Sequence, residues 1–325
     1  MTHKTAIGWA TDSANPYRYE AGGWHCVKVS EGCRHCYAEM INKRFGGSGN
    51  RLPYRVDSRQ YLGDMSLSEK ILADWLNPKR PTRRIFVNSM TDTFLETVPD
   101  ELVFRLFDTM AAAKHQLFYV LTKRAKRMAE LVLDWLESTN GRYAWVPHNI
   151  MIGVSVENQK VLQERMHWLG MVPALRFASA EPLLGPVDFG DTISALHWLI
   201  IGGESGAGAR HLHPLHATNL LQQAEEANVW TFFKQWGSWW PLSEFARFHG
   251  GPDTPLAYRS WGVLCEDGTF QSSRNFRERG KWRLPALEQD GRVVMVKPPS
   301  KEVPESATLN GVVYEQYSPL HQPQG

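Results

Sequence analysis

Cys26, Cys33 and Cys36 are the residues of this chain whose type and spacing most clearly permit chemistry. They follow a C-x6-C-x2-C pattern, whereas the fourth cysteine, Cys265, lies more than two hundred residues away. Cysteine thiolates are the usual ligands of iron–sulfur clusters, and three of them leave one iron open to a substrate or cofactor. A Cys-x-x-Cys pair also serves zinc sites and redox pairs. A closed Cys3His zinc site completed by His25 or His35 is therefore an alternative, and so are three reduced thiols in a turn.

Such a stretch needs elements to hold it. Apolar runs recur at 85–87, 117–121, 150–154, 175–178, 196–201 and 229–233, with little internal alternation. Runs of this kind suit strands buried on both faces of a parallel sheet. Helix-like segments lie between them near 100–113, 125–138, 159–169 and 215–227, and the link with Pro182, Gly185 and Pro186 is less helical. Pro99-Asp100-Glu101 places a proline and two acids where a helix N-terminus favours them. Further helices are expected over 37–45 and near 67–76, and a short strand either over Ala6–Trp9 or leading into Cys26. Strand–helix alternation predicts an α/β fold, a partial (β/α) barrel spanning 1–241, with an irregular, β-rich extension over 242–325.

The polar residues after each run are informative. They include Asn88 and Ser89, Lys123 and Arg124, Ser155 and Glu157, Glu181, Gly202-Gly203-Glu204, and Lys234. In parallel α/β folds the C-terminal strand ends share one mouth where functional groups gather. Taken singly, Ser155 is a candidate helix cap and Lys123 and Arg124 candidate solvated residues. Together they predict one site. Lys123 and Lys234 suit a carboxylate or phosphate.

The Gly202–Arg210 run lacks the G-x-G-x-x-G spacing of a dinucleotide fold and follows a late strand, so it reads as a ligand-contacting loop. His211, His213 and His216 follow without cysteine or paired acid, which favours structural roles over a metal site. Near the end, 262–270 reads as a hairpin. Arg274, Arg277, Arg279, Lys281 and Arg283 surround Trp282, a mixture able to hold phosphates and stack a base, or simply a solvated face.

A net charge of +2 gives no overall field for nucleic acid or membrane, so polyanion binding needs a local patch. Neither an apolar signal region nor an eighteen-residue apolar span is present in the sequence. Clustered cysteines without a disulfide framework fit a cytoplasmic protein with reduced thiols.

The motifs Gly32–Glu39, Phe86–Asp92, Val120–Arg124, Gly153–Asn158, Ser179–Pro186, Ile201–Gly206 and Phe233–Gly237 resemble the three-cysteine-motif family of phage and bacterial proteins of unknown function. That family is related to the radical S-adenosylmethionine enzymes. The resemblance covers residues 1–241, and reaches the remainder only through short matches such as Leu309-Asn310-Gly311. It implies a [4Fe–4S] cluster on the three cysteines, in a loop after the first strand, with S-adenosylmethionine chelating the open iron and Glu157, Glu181 and Glu204 as candidates for its ribose hydroxyls or amine. A 5′-deoxyadenosyl radical would then abstract hydrogen from substrate. Nucleic-acid or nucleotide modification and a three-cysteine-motif partner protein are further implications.

The chain departs from the superfamily pattern in three respects. Six residues separate Cys26 from Cys33, His35 replaces the usual aromatic, and Gly202-Gly203-Glu204 follows a late strand rather than the second. Asn88 or Ser89 takes the second-strand position. The runner-up belongs to another class: a zinc-stabilised, non-catalytic nucleic-acid-binding protein using 274–283.

Overall fold

A computed structural model describes residues 2–45, 63–244, 261–267, 269–272, 277–278, 281–282, 292–297, 308–309 and 312–316. The first elements are strands β1 (His3–Lys4), β2 (Asp12–Ala14) and β3 (Tyr17–Tyr19), then helix α1 (Tyr37–Phe45). Strand β4 (Met65–Leu67) and helix α2 (Glu69–Leu76) come next. The regular alternation then runs β5 (Arg84–Val87), α3 (Asp100–Ala112), β6 (Leu117–Thr122), α4 (Ala125–Ser138), β7 (Ile150–Ser155), α5 (Gln159–Met171) and β8 (Leu175–Ala180). A 3-10 turn, Gly190–Ala195, leads to β9 (Trp198–Gly202), followed by α6 (Pro214–Glu226) and β10 (Trp230–Gln235).

These strands form one curled half-barrel sheet in the order β1-β2-β5-β6-β7-β8-β9-β10. Every neighbouring pair is parallel except β1 with β2 at the edge. The lack of alternation in the apolar runs has a direct cause: both faces are buried. Ile85, Val87, Val120, Ile152 and Leu199 point outward and pack with helix residues such as Phe107, Val132 and Leu220. Their neighbours Phe86, Tyr119, Met151, Phe177, Trp198 and Phe232 point inward and form a second, largely aromatic core around Trp9.

The first parallel strand is Asp12–Ala14, not Ala6–Trp9. That apolar segment is instead a turn inside the half-barrel, with the Trp9 ring 4.9 Å from Phe86 and 5.9 Å from Trp198. Gly8 permits this, since a Cβ there would lie 3.1 Å from the Phe232 ring. Burial against a core, rather than pairing in the sheet, accounts for the apolar pattern. The polar β2 is recruited by register with β5, Asp12 opposite Ile85 and Ala14 opposite Val87.

Past β10 the chain is strand-rich. Strands β11 (Trp240–Pro241), β12 (Trp261–Leu264), β13 (Phe270–Ser272), β14 (Arg277–Glu278), β15 (Lys281–Trp282), β16 (Val293–Val296), β17 (Thr308–Leu309) and β18 (Val312–Val313) follow. A four-stranded sheet has the order β11-β16-β12-β13 and contains the expected hairpin. Residues 314–316 return to β10, where Phe233 N–H donates to the Tyr314 carbonyl at 2.8 Å and cover its open edge. Arg274, Arg279, Arg283, Asn310 and Gly311 lie outside the described residues, as do Gly46 and Gly47; Arg277, Lys281 and Trp282 fall in the β14–β15 hairpin. Among the described residues no helix is long and apolar enough to cross a membrane.

Candidate functional site

The C-terminal strand ends and the cysteine loop enclose a cavity of about 450 Å³. Cys26, Cys33 and Cys36 line it together with Asn88, Ser89, Lys123, Ser155, Glu181, Gly203, Glu204 and Lys234. Ile7, Trp9, Phe86 and Leu121 make its apolar part. The shared mouth thus brings together residues from the ends of β5 through β10. Glu157 and Gly202 stand beside it without lining it.

The cysteine loop is gripped by the strand ends. From the end of β6, Arg124 Nη2 donates to the Val27 carbonyl at 2.9 Å and Nη1 lies 3.9 Å from the Cys26 sulfur. The same guanidinium pairs with Asp92 at 3.2 Å and Glu96 at 2.8 Å. Burial opposes its charge, but Asp92, the Cys26 sulfur and Glu96 hold its pKa above the usual value. Asp92 is tied in turn by the Thr122 hydroxyl at 2.7 Å and the Lys123 N–H at 3.0 Å.

From the end of β7, the fully buried Glu157 accepts from the Ser30 hydroxyl and from Arg165 Nη1, the latter at 2.5 Å. Burial pushes its pKa upward, but Lys123, Arg165 and Ser30 hold the carboxyl below the ordinary carboxylate range. Gly32 is where the loop rests on this side chain: a Cβ there would lie 2.7 Å from Glu157 Oε1.

From the end of β9, Glu204 Oε2 lies 3.1 Å from His35 Nδ1 and accepts from Arg210 Nε at 2.9 Å. Arg210 Nη2 also donates to the Glu31 carbonyl at 3.0 Å. Despite partial burial, Arg210 and His35 keep the Glu204 carboxyl below its ordinary range. The glycines beside it allow the β9 and β10 tails to touch, since a Cβ on Gly203 would meet the Trp236 carbonyl oxygen at 2.0 Å.

The other strand-end groups face the cavity. Lys123 Nζ donates to the Ser155 hydroxyl at 3.0 Å, and Lys234 is ion-paired with Glu181. Asn88 donates to the Thr93 hydroxyl at 2.9 Å, while its buried Oδ1 has no hydrogen-bond partner among the described residues. Ser89 and Asn15 hydrogen-bond at 3.0 Å, and the Ser89 carbonyl accepts from the Tyr37 hydroxyl at 2.9 Å.

Burial pushes the Cys26 thiol up to about 12, against the opposing pull of Arg124. Cys36 is raised for the same reason, and its backbone hydrogen bonds and Lys123 counter the rise. Each feels the charge of Cys33, so the three sulfurs are electrostatic neighbours. Among the described residues, no three His, Cys, Asp or Glu side chains are gathered as donors to a single ion. Residues 4–317 match the family described as "Protein of unknown function (DUF5131)". The chain belongs to that family. No curated protein and no solved structure matches it.

In this DUF5131 chain the three histidines after the glycine run have structural partners. His211 stacks on Phe270 at 3.8 Å between centroids and lies 4.4 Å from Trp239. Burial, with Lys297 nearby, lowers its pKa to about 4. His213 Nδ1 caps α6 by accepting from Leu215 N–H, and His216 Nε2 lies 3.2 Å from the Glu266 carbonyl. Sequence reasoning missed Arg124, Asp92, Arg165 and Arg210 as holders of the loop. Lone arginines and aspartates carry no spacing signal; only the fold reveals their partners.

Proposed function

We propose that this DUF5131 protein binds a [4Fe–4S] cluster through Cys26, Cys33 and Cys36 and acts as a radical S-adenosylmethionine enzyme. The observation that carries the reading is the convergence of all three thiols and the strand-end polar groups on one cavity. The donor set fits: three neighbouring sulfurs on the cavity wall are the soft ligands a cluster takes, and one side remains open for a cofactor. A closed Cys3His zinc site is disfavoured at His35, whose Nδ1 is engaged by Glu204 and whose Nε2 side faces Gly208, where a Cβ would lie 3.6 Å away.

When bound, the cluster and S-adenosylmethionine supply a 5′-deoxyadenosyl radical that removes hydrogen from a substrate. The chain's own residues do the remaining work. Arg124, Glu157 and the Glu204–Arg210 pair hold the cysteine loop from three strand ends. Asn88 Oδ1 offers a buried acceptor for an amino or hydroxyl group of the ligand. Trp9 and Phe86 line the apolar part of the cavity and limit water there.

Anaerobic reconstitution with iron and sulfide tests the reading. A brown protein, with iron and sulfide lost in Cys33→Ala and 5′-deoxyadenosine released from S-adenosylmethionine under reduction, is the expected outcome. A colourless protein holding stoichiometric zinc and no sulfide would overturn it.

A further inference from the structure

The cations around the cavity are not equivalent. Arg124 is matched by Asp92 and Glu96, Arg210 by Glu204, and Lys234 by Glu181. Lys123 forms no ion pair within salt-bridge distance among the described residues; its Nζ donates to the neutral Ser155 hydroxyl at 3.0 Å. Its charge acts on the Glu157 carboxylate, which is already paired with Arg165 at 2.5 Å. Lys123, Arg165 and Glu157 together therefore carry one net positive charge, whereas the surplus negative charge beside Arg124 sits on Glu96, which is 60 % exposed and screened by water. Lys123 and Cys36 line the same cavity, and the Lys123 charge opposes the rise that burial causes in the Cys36 pKa.

We propose that Lys123 is the charge-compensating residue of the group held by the cysteines, setting a positive potential at Cys36 that favours bound thiolate and an added electron. The proposal rests on the iron–sulfur reading. The physical reason is the lowered dielectric of a mostly apolar cavity, where one unpaired ammonium acts over several ångström with less screening than in water. Replacing the three thiol protons by a cluster whose oxidised core carries two positive charges leaves one net negative charge, which Lys123 matches. Lys234 cannot serve, because Glu181 already cancels it. Lys123 thus acts as a positioning residue through electrostatics, and needs no contact with the reacting atoms.

Two measurements test this, one of them independent of any cluster. In metal-free protein at fixed pH, alkylation of Cys36 is followed by mass spectrometry with anionic iodoacetate and neutral iodoacetamide. A positive potential favours the anionic reagent, so the rate ratio should fall about threefold or more in Lys123→Met. It should recover in Lys123→Arg and stay unchanged in the double variant Glu181→Gln/Lys234→Met, which removes a neutral pair. In reconstituted protein the midpoint potential should move negative in Lys123→Met, return toward wild type in Lys123→Arg and hold in Glu181→Gln/Lys234→Met. An unchanged alkylation ratio in Lys123→Met overturns the proposal. An unchanged midpoint potential there overturns it equally. If no cluster loads in wild type, the proposed function fails, and the alkylation ratio still decides whether Lys123 sets the potential at Cys36.

Discussion

Replacing Glu157 by glutamine separates a loop anchor from a ligand contact. Glu157 is fully buried and its partner Arg165 is 5 % exposed. Removing the negative charge leaves a buried guanidinium without its counter-ion, which typically costs about 3–5 kcal/mol. Arg165 keeps its bond to the Ser155 carbonyl at 2.8 Å, and the glutamine oxygen can still accept from Ser30, so the lower end, about 3 kcal/mol, is expected. The assay is urea unfolding of metal-free protein followed by tryptophan fluorescence. The double variant Glu157→Gln/Arg165→Met should lose less than the sum of the single changes, because it removes both charges together. The pH dependence has a definite sign. A carboxyl with a depressed folded-state pKa contributes its stability above the ordinary glutamate value of 4.5, and loses it as pH falls through the folded value. The gap between wild type and Glu157→Gln should therefore narrow on acidification below that value. A single variant within about 0.5 kcal/mol of wild type at neutral pH, well under the range for a broken buried pair, would refute the anchoring role. Additivity in the double variant would do the same.

Other outcomes follow from the same contacts. Gly32→Ala drives a Cβ to 2.7 Å from Glu157 Oε1, so it should destabilise by about 1–3 kcal/mol in the same unfolding assay and lower iron loading. Arg124→Met strips Asp92 of its buried partner and frees the Val27 carbonyl; about 3 kcal/mol should be lost in the same unfolding assay. Iron content should vanish in Cys26→Ala and Cys36→Ala but persist in Cys265→Ala, since that thiol sits in the β12–β13 hairpin turn. Joint replacement of Arg274, Arg277, Arg279 and Arg283 should weaken any DNA or RNA binding and flatten its salt dependence; wild-type protein without salt-dependent binding would leave that segment a solvated face.

Much of the architecture is legible without coordinates, because it rests on local pattern. Ile150–Ser155 and Trp198–Gly202 are apolar on consecutive residues, and only burial on both faces of a parallel sheet accommodates that. Pro99-Asp100-Glu101 marks the start of α3 through the missing N–H and the helix dipole. The spacing of Cys33 and Cys36, and the polar residues after each strand, are local in the same sense. They were enough to place Asn88, Lys123, Glu181, Glu204 and Lys234 at one mouth with the thiols.

The tertiary structure alone decided how that mouth divides its labour. Glu157, Glu181 and Glu204 look alike in the sequence, each one or two residues beyond a strand. Yet Glu157 meets Ser30 and Arg165, Glu204 meets His35 and Arg210, and Glu181 meets Lys234. Those partners lie up to 169 residues away along the chain, and no local rule pairs them. The same holds for Trp9, whose apolar neighbours suggest a strand until the curl of the sheet leaves a hollow for its ring. Periodicity reports which residues are buried; the closure of the sheet determines what they are buried against. Charge is subject to the same limit: Lys123 and Lys234 differ only because Glu181 comes within reach of one of them.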